Sequence, residues 1–245
     1  MQGGFPSIDL TRDALLFDVD GTLIDIASTP EEVVVSAELR LSLHKLWDRS
    51  EGATALVSGR TLESLDSLFA PLRLPASGTH GAQLRAQPVS DALAFEAPLL
   101  PDQLREALAH LNRKFEDVRI EDKRYSLAFH YRGHEDLEAA LIRELEARMK
   151  ALPPGFELLK GKAILEIRAR GVNKGEAVRR LLHYPPFKGR RPIFFGDDRT
   201  DEDCLAVLPE FSGIGVGVGR DLKGADYRVH TPAEVRHWLA DLAGL

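Results

Sequence analysis

Three short apolar runs, Ala14 to Phe17, Ala53 to Val57 and Pro192 to Phe195, alternate with stretches whose apolar positions recur every three or four residues. Leu39, Leu43, Leu46 and Trp47 lie between the first and second runs, Leu62, Leu65, Leu68 and Phe69 follow the second, and Val235, Trp238, Leu239 and Leu242 come near the end of the chain. Such runs fit buried strands, and each periodic stretch fits a helix packed by one face. Their alternation predicts βα units around a mainly parallel, doubly wound sheet.

The middle of the chain has another rhythm. Leu104, Leu108, Leu111 and Phe115 predict a helix, and YSLAFHYR from Tyr125 to Arg132 predicts a half-buried strand. Leu137, Leu141, Leu145 and Met149 predict a second helix, followed by the strands Phe156 to Lys160 and Ala163 to Arg168. Helices and strands no longer alternate one for one, which suits an antiparallel sheet covered on one side. In the last strand Leu165 and Ile167 point one way, while Glu166 and Arg168 share the opposite face. The expected organisation is an α/β core formed by residues 1–92 and 171–245, with an inserted α/β unit over residues 93–170.

Composition narrows the function. The 245 residues are 44% apolar and 29% charged, within the ordinary range for a globular protein. No apolar run approaches the roughly 18 residues of a membrane helix, so no membrane partner is expected. The opening MQGGFPSIDLTRD lacks a basic segment followed by an apolar one, and a cytoplasmic location is expected. A net charge of −6 gives no electrostatic footprint for nucleic acid, so a small solute is the expected partner. No obligate protein partner is evident. Cys204, the single cysteine, reads as a small buried hydrophobe. The stretch Gly213 to Arg220, GIGVGVGR, looks like a dinucleotide loop but lacks the surrounding βαβ context, so it reads as a short strand and loop.

In open α/β sheets ligands sit beyond the carboxyl ends of the strands. Four clusters fall there or at a helix start: DVDGT (Asp18 to Thr22), SGR (Ser58 to Arg60), NKGE (Asn173 to Glu176) and GDDRTDED (Gly196 to Asp203). Each alone has a plain structural reading, as a turn, a cap or an acidic helix start. Together they describe one chemistry. Asp18, Asp20, Asp197, Asp198 and Asp201 concentrate negative charge that demands a cation, and an all-oxygen donor set suits Mg²⁺. Lys174 supplies a second positive charge. Asp18 can act as nucleophile, because carboxylates form aspartyl-phosphates. Asp20, two residues on, can protonate an alkoxide leaving group and later deprotonate water. Thr22, Ser58 and Asn173 offer donors to phosphate oxygens.

The four motifs, in this order, resemble those of the haloacid dehalogenase superfamily of phosphohydrolases. DVDGTLIDI, VSGRTLESLD, SGTHGAQL, SLAFHYR, GKAILEIRARGVNKGEAV and FFGDDRTDED together resemble trehalose-6-phosphate phosphatases across nearly the whole chain. The resemblance implies Mg²⁺-dependent hydrolysis of trehalose 6-phosphate through an aspartyl-phosphate, with an α/β cap inserted between the second and third motifs. It implies Asp18, Asp197 and the main-chain oxygen of Asp20 as metal ligands, with Asp198 and Asp201 in support. Ser58, Asn173 and Lys174 would hold phosphate. Glu121, Lys123 and Glu166 would grip the disaccharide, aided by Arg60 and His80.

The cap residues also have plain readings: Glu121 and Lys123 as an exposed turn, and Glu166 as the surface partner of Lys162. Gln83 departs from the pattern, standing where this family often has glutamate, and is left outside the expected site. Core chemistry alone does not separate a phosphatase for sucrose or glucosylglycerol phosphate. A sensor that binds without turnover, or a phosphoacceptor that accumulates the aspartyl-phosphate, would use the same acids and lysine.

Overall fold

Every residue of the strand Asp13–Phe17 is buried, and alternate side chains enter different cores. Leu15 and Phe17 pack with Leu39, Leu43, Leu65, Phe69, Val235 and Leu239. Ala14 and Leu16 pack with Val178, Leu181, Cys204 and Leu205. The unbroken apolar run from Ala14 to Phe17 is what helices on both faces of a sheet require. The computed structural model describes residues 2–26, 33–90, 93–150, 154–161 and 163–245, with the side chains of residues 2 and 107–109 excepted. The expected boundary at residue 92, the Leu108 side chain and Lys162 lie outside what is described.

The chain divides into two compact units, Met1–Glu96 with Asn173–Leu245, and Ala97–Val172. The first is built on a sheet of nine strands among the described residues. Their order is Gln2–Gly3, Tyr227–Val229, Ile214–Val218, Arg191–Gly196, Asp13–Phe17, Thr54–Val57, Ala76–Gly78, Gln83–Arg85 and Phe95–Glu96. The first seven run parallel, Gln83–Arg85 returns antiparallel to them, and Phe95–Glu96 pairs antiparallel with it at the edge. Arg191–Gly196 and Thr54–Val57 flank Asp13–Phe17, so three adjacent strand ends carry Asp197, Asp18 and Ser58. The helices Ala37–Arg49, Leu62–Phe69, Lys174–Leu181 and Pro232–Ala243 begin at Ser36, Thr61, Asn173 and Thr231. Each of these caps accepts the N–H of the residue three further on, satisfying a donor the helix cannot.

The second unit is a four-stranded antiparallel sheet in the order Arg119–Asp122, Ser126–His130, Ile164–Ala169 and Phe156–Gly161. The helices Asp102–Lys114 and Glu138–Met149 cover one face, where Leu104, Leu111, Leu127, Phe129, Leu141, Leu145, Leu165 and Ile167 form the core. In Ile164–Ala169 buried and half-buried residues alternate as the sequence predicts. The strand Ser126–His130 differs: only His130 is half-buried, and the other four residues are buried. Ser126 and Ala128 are small, and the longer side chains opposite them, Arg168, Glu121 and Glu166, cover them. Among the described residues no helix is long and apolar enough to cross a membrane.

Candidate active site

The site begins where the strand Asp13–Phe17 stops. Asp18 N–H donates to the Phe195 carbonyl at 2.9 Å, fixing this end to its neighbour. The chain then turns: Gly21 N–H donates to the Ile24 carbonyl at 2.8 Å, and the Val19 carbonyl accepts from Leu23 and Ile24. Gly21 has φ of 86°, a left-handed conformation that favours glycine. A Cβ there would also overlap the Asp197 carboxylate. The DG pair therefore makes the turn and leaves room for a second acid.

Lys174 ties the acids together. Its Nζ donates to Asp18 Oδ1 and to Asp201 Oδ1, both at 2.7 Å, with only 4% of the lysine side chain exposed. The other Asp201 oxygen accepts the backbone N–H groups of Asp197 and Asp198, each at 3.0 Å. Both Asp201 oxygens are thus engaged, and this residue sets the loop that presents Asp197. Asp198 faces outward, accepting from Arg199 N–H at 2.7 Å and from Arg220 at 3.1 Å.

The charges do not balance. Burial pushes the Asp18 carboxyl up, to about 8; Lys174 pulls it down, while Asp201 and Asp197 push it up again. Asp197 is raised as well, by burial first and Asp201 next. Burial alone would lower Lys174, but the Asp18 and Asp201 charges outweigh it and hold the ammonium protonated. One ammonium serves three carboxylates whose nearest oxygens lie within 4.8 Å of one another. A hard divalent cation would suit this all-oxygen set, with Asp18 and Asp197 as its candidate ligands, because both Asp201 oxygens already accept hydrogen bonds.

The phosphate and sugar candidates of this unit take distinct places. Ser58 is buried at the end of Thr54–Val57, and its Oγ accepts Arg60 N–H at 3.1 Å. Thr22 is fully buried, and its hydroxyl has no partner among the described residues. Asn173 caps its helix through Oδ1, leaving its amide N–H groups as donors. His80 is half-buried in a left-handed turn, its ring against Gly59. Gln83 opens the antiparallel strand Gln83–Arg85, between Ala76–Gly78 and Phe95–Glu96. Arg60 grips Asp20 through both carboxylate oxygens, at 2.7 and 2.6 Å. Cys204 is a buried thiol pushed well up by burial, consistent with packing alone.

In the second unit, Glu121 and Glu166 both stand opposite Ala128, on either side of it. Cross-strand partners share a face, so a small residue separates two acids on the face away from the helices. Glu121 lies in a strand, not in the turn that its surroundings suggested. Its carboxylate contacts His130 Nε2 at 3.1 Å and Lys123 Nζ at 3.9 Å. Ser126 Oγ donates to Glu166 at 2.6 Å. Sequence reasoning passed over Ser126 and His130. Their even spacing with Ala128 was the available signal, since all three share the Glu121 face.

Comparison with known proteins bears on this arrangement. The family described as Trehalose-phosphatase matches residues 16–229. The Trehalose-6-phosphate phosphatase of Escherichia coli is 36% identical over 233 residues, covering 92% of this chain and 85% of that protein. The C-terminal domain of C. albicans trehalose-6-phosphate phosphatase is 25% identical, with a TM-score of 0.76 over 96% of this chain and 93% of that one. A haloacid dehalogenase-like hydrolase from B. subtilis shares the fold at 17% identity, with a TM-score of 0.65 over 93% of this chain and 99% of that one.

Proposed function

This chain belongs to the trehalose-phosphatase family, and from that premise we propose that it hydrolyses trehalose 6-phosphate to trehalose and phosphate through a phosphorylated Asp18. The observation that carries the reading is Asp18 itself, held at a strand end by Lys174 with an Asp197 oxygen within 4.8 Å. It is a carboxylate nucleophile beside a fixed cation and a second acid.

In the first half-reaction an Asp18 oxygen forms a bond to phosphorus while the bond from phosphorus to the sugar oxygen breaks. Asp20 gives its proton to that oxygen. In the second, Asp20 takes a proton from water as the water oxygen bonds to phosphorus. The bond to Asp18 then breaks and phosphate leaves. Lys174, Ser58, Thr22 and Asn173 hold the phosphoryl oxygens. Asp18, Asp197 and the Asp20 main-chain oxygen would hold Mg²⁺, which would supply positive charge against the phosphoryl group. Asp201 and Asp198 position that loop. The first unit is the phosphatase core and the second the cap.

Glu121, Lys123 and Glu166 read the sugar hydroxyls, for which charged side chains make strong, directional partners. Arg60 and His80 are further substrate residues of the core. A site built to hydrogen-bond hydroxyls rejects sugars that lack them, because its polar groups are left unpaired. The test is kcat/KM for phosphate release from trehalose 6-phosphate, sucrose phosphate and glucosylglycerol phosphate. The reading expects trehalose 6-phosphate to dominate. Dominance of another sugar phosphate would keep the core chemistry and discard the sugar assignment, and binding without turnover would point to a sensor.

A further inference from the structure

Arg60 is an arm on a fixed mount. Its own N–H donates to Ser58 Oγ at 3.1 Å, and its carbonyl accepts Thr79 N–H at 2.8 Å. His80 N–H donates to the Ser58 carbonyl at 3.1 Å, so the turn after Ala76–Gly78 is laced to the loop that carries Arg60. In that turn Thr79 and His80 have φ of 50° and 51°. Left-handed geometry is costly for a β-branched residue and persists where surrounding contacts over-determine it. The side chain that leaves this mount is 16% exposed and its guanidinium ends on Asp20, with Nε donating to Oδ2 at 2.7 Å and Nη2 to Oδ1 at 2.6 Å.

Asp20 needs such a restraint. It sits on the turn after the nucleophile, with 37% of its side chain exposed, and Arg60 is its only recorded side-chain partner among the described residues. An acid that shuttles a proton to and from one reacting oxygen must hold its position within a fraction of an ångström. A planar fork bonded to both carboxylate oxygens fixes distance and orientation together, which a point charge does not do.

We propose that Arg60 is the positioning residue of Asp20 and acts through it in both half-reactions, separately from any contact with the sugar. The inference rests on Asp20 being the acid/base of the proposed function. It alters the expected role of Arg60. A sugar contact alone would matter only for a sugar substrate, whereas a positioning residue matters for every phosphate ester whose phosphoenzyme must be hydrolysed.

The experiment is steady-state turnover of p-nitrophenyl phosphate and trehalose 6-phosphate by the full chain with Mg²⁺. The proteins are the wild type, Arg60→Ala, Arg60→Lys, Asp20→Ala and the Arg60→Ala/Asp20→Ala double variant. The aryl ester has no sugar to grip, yet its phosphoenzyme still needs the base. Arg60→Ala is expected to lower kcat on the aryl ester about tenfold to a hundredfold, with KM falling rather than rising, because slowed hydrolysis lets the phosphoenzyme accumulate. Arg60→Lys, which keeps the charge and most of the stem, should recover little of the loss. In the Asp20→Ala background, removing Arg60 should change turnover by no more than about twofold. Wild-type kcat on the aryl ester in Arg60→Ala, with only a raised KM for trehalose 6-phosphate, would reduce Arg60 to a sugar contact. An equal loss in both Asp20 backgrounds would show that it does not act through Asp20. A wild type active on the aryl ester but inert on trehalose 6-phosphate would reject the proposed substrate while leaving the Arg60 comparison readable.

Discussion

The Lys174 ammonium and an Asp18 carboxylate oxygen lie 2.7 Å apart, with 4% and 6% of their side chains exposed. The same ammonium is the only cation recorded against Asp201 among the described residues. Removing it leaves three crowded acids without a charge partner. Lys174→Ala should therefore lose about 3–5 kcal/mol of stability in EDTA, read by urea denaturation. Adding Mg²⁺ should return part of that loss, since a ligand that binds only the folded state stabilises it. A loss below about 1 kcal/mol, the range of a surface pair, would mean that the pair is not the electrostatic anchor described here.

Asp18→Asn keeps the shape and removes both the nucleophile and its charge. Turnover should fall about a thousandfold or more. The pH dependence of metal-free stability should change too. The folded-state carboxyl is raised from its ordinary 3.8 to about 8, so across that window the folded protein retains a proton that the unfolded chain gives up. This contribution is fully present below pH 3.8 and is lost as pH rises through about 8. In EDTA, wild-type stability should decline across the window more steeply than that of Asp18→Asn. Parallel curves would contradict the burial argument.

Gly21→Ala tests the turn. The left-handed conformation costs a residue with a Cβ about 1–2 kcal/mol, and the added carbon would overlap the Asp197 carboxylate. The variant should need more Mg²⁺ for half-maximal turnover, because Asp197 is displaced from Asp18. An unchanged Mg²⁺ titration would remove Asp197 from the metal site.

Glu166→Ala separates sugar reading from chemistry. Loss of a hydrogen bond to a charged group costs about 1.5–3 kcal/mol, or roughly tenfold to a hundredfold in kcat/KM. That loss should appear with trehalose 6-phosphate and be much smaller with an aryl phosphate. Equal losses on both esters would place Glu166 outside the sugar contacts.

The strand ends were legible because apolar runs such as Ala14 to Phe17 stop abruptly at carboxylates, a pattern with few explanations. Other features left weaker traces. Arg119–Asp122 is an edge strand with three of its four residues exposed, so it has no apolar alternation, and Glu121 read as part of a turn. The antiparallel edge, Gln83–Arg85 and Phe95–Glu96, is too short to show a period. Asp198 and Asp201 read as equivalent supporting acids, although one faces Arg220 in solvent and the other is sealed beneath Lys174. That division depends on which way a short helical turn faces, which spacing alone leaves open. The Arg60–Asp20 fork joins positions forty residues apart and follows from strand adjacency.

The central claim is that phosphate passes through Asp18. The most direct measurement is rapid acid quench of the Mg²⁺-loaded enzyme during trehalose 6-phosphate turnover, followed by mass spectrometry of the peptide containing Asp18. The account predicts one added phosphoryl group on that peptide, absent in Asp18→Asn and in EDTA. Rapid phosphate release with that peptide unmodified at every quench time, or a phosphoryl group found on another residue, would contradict it.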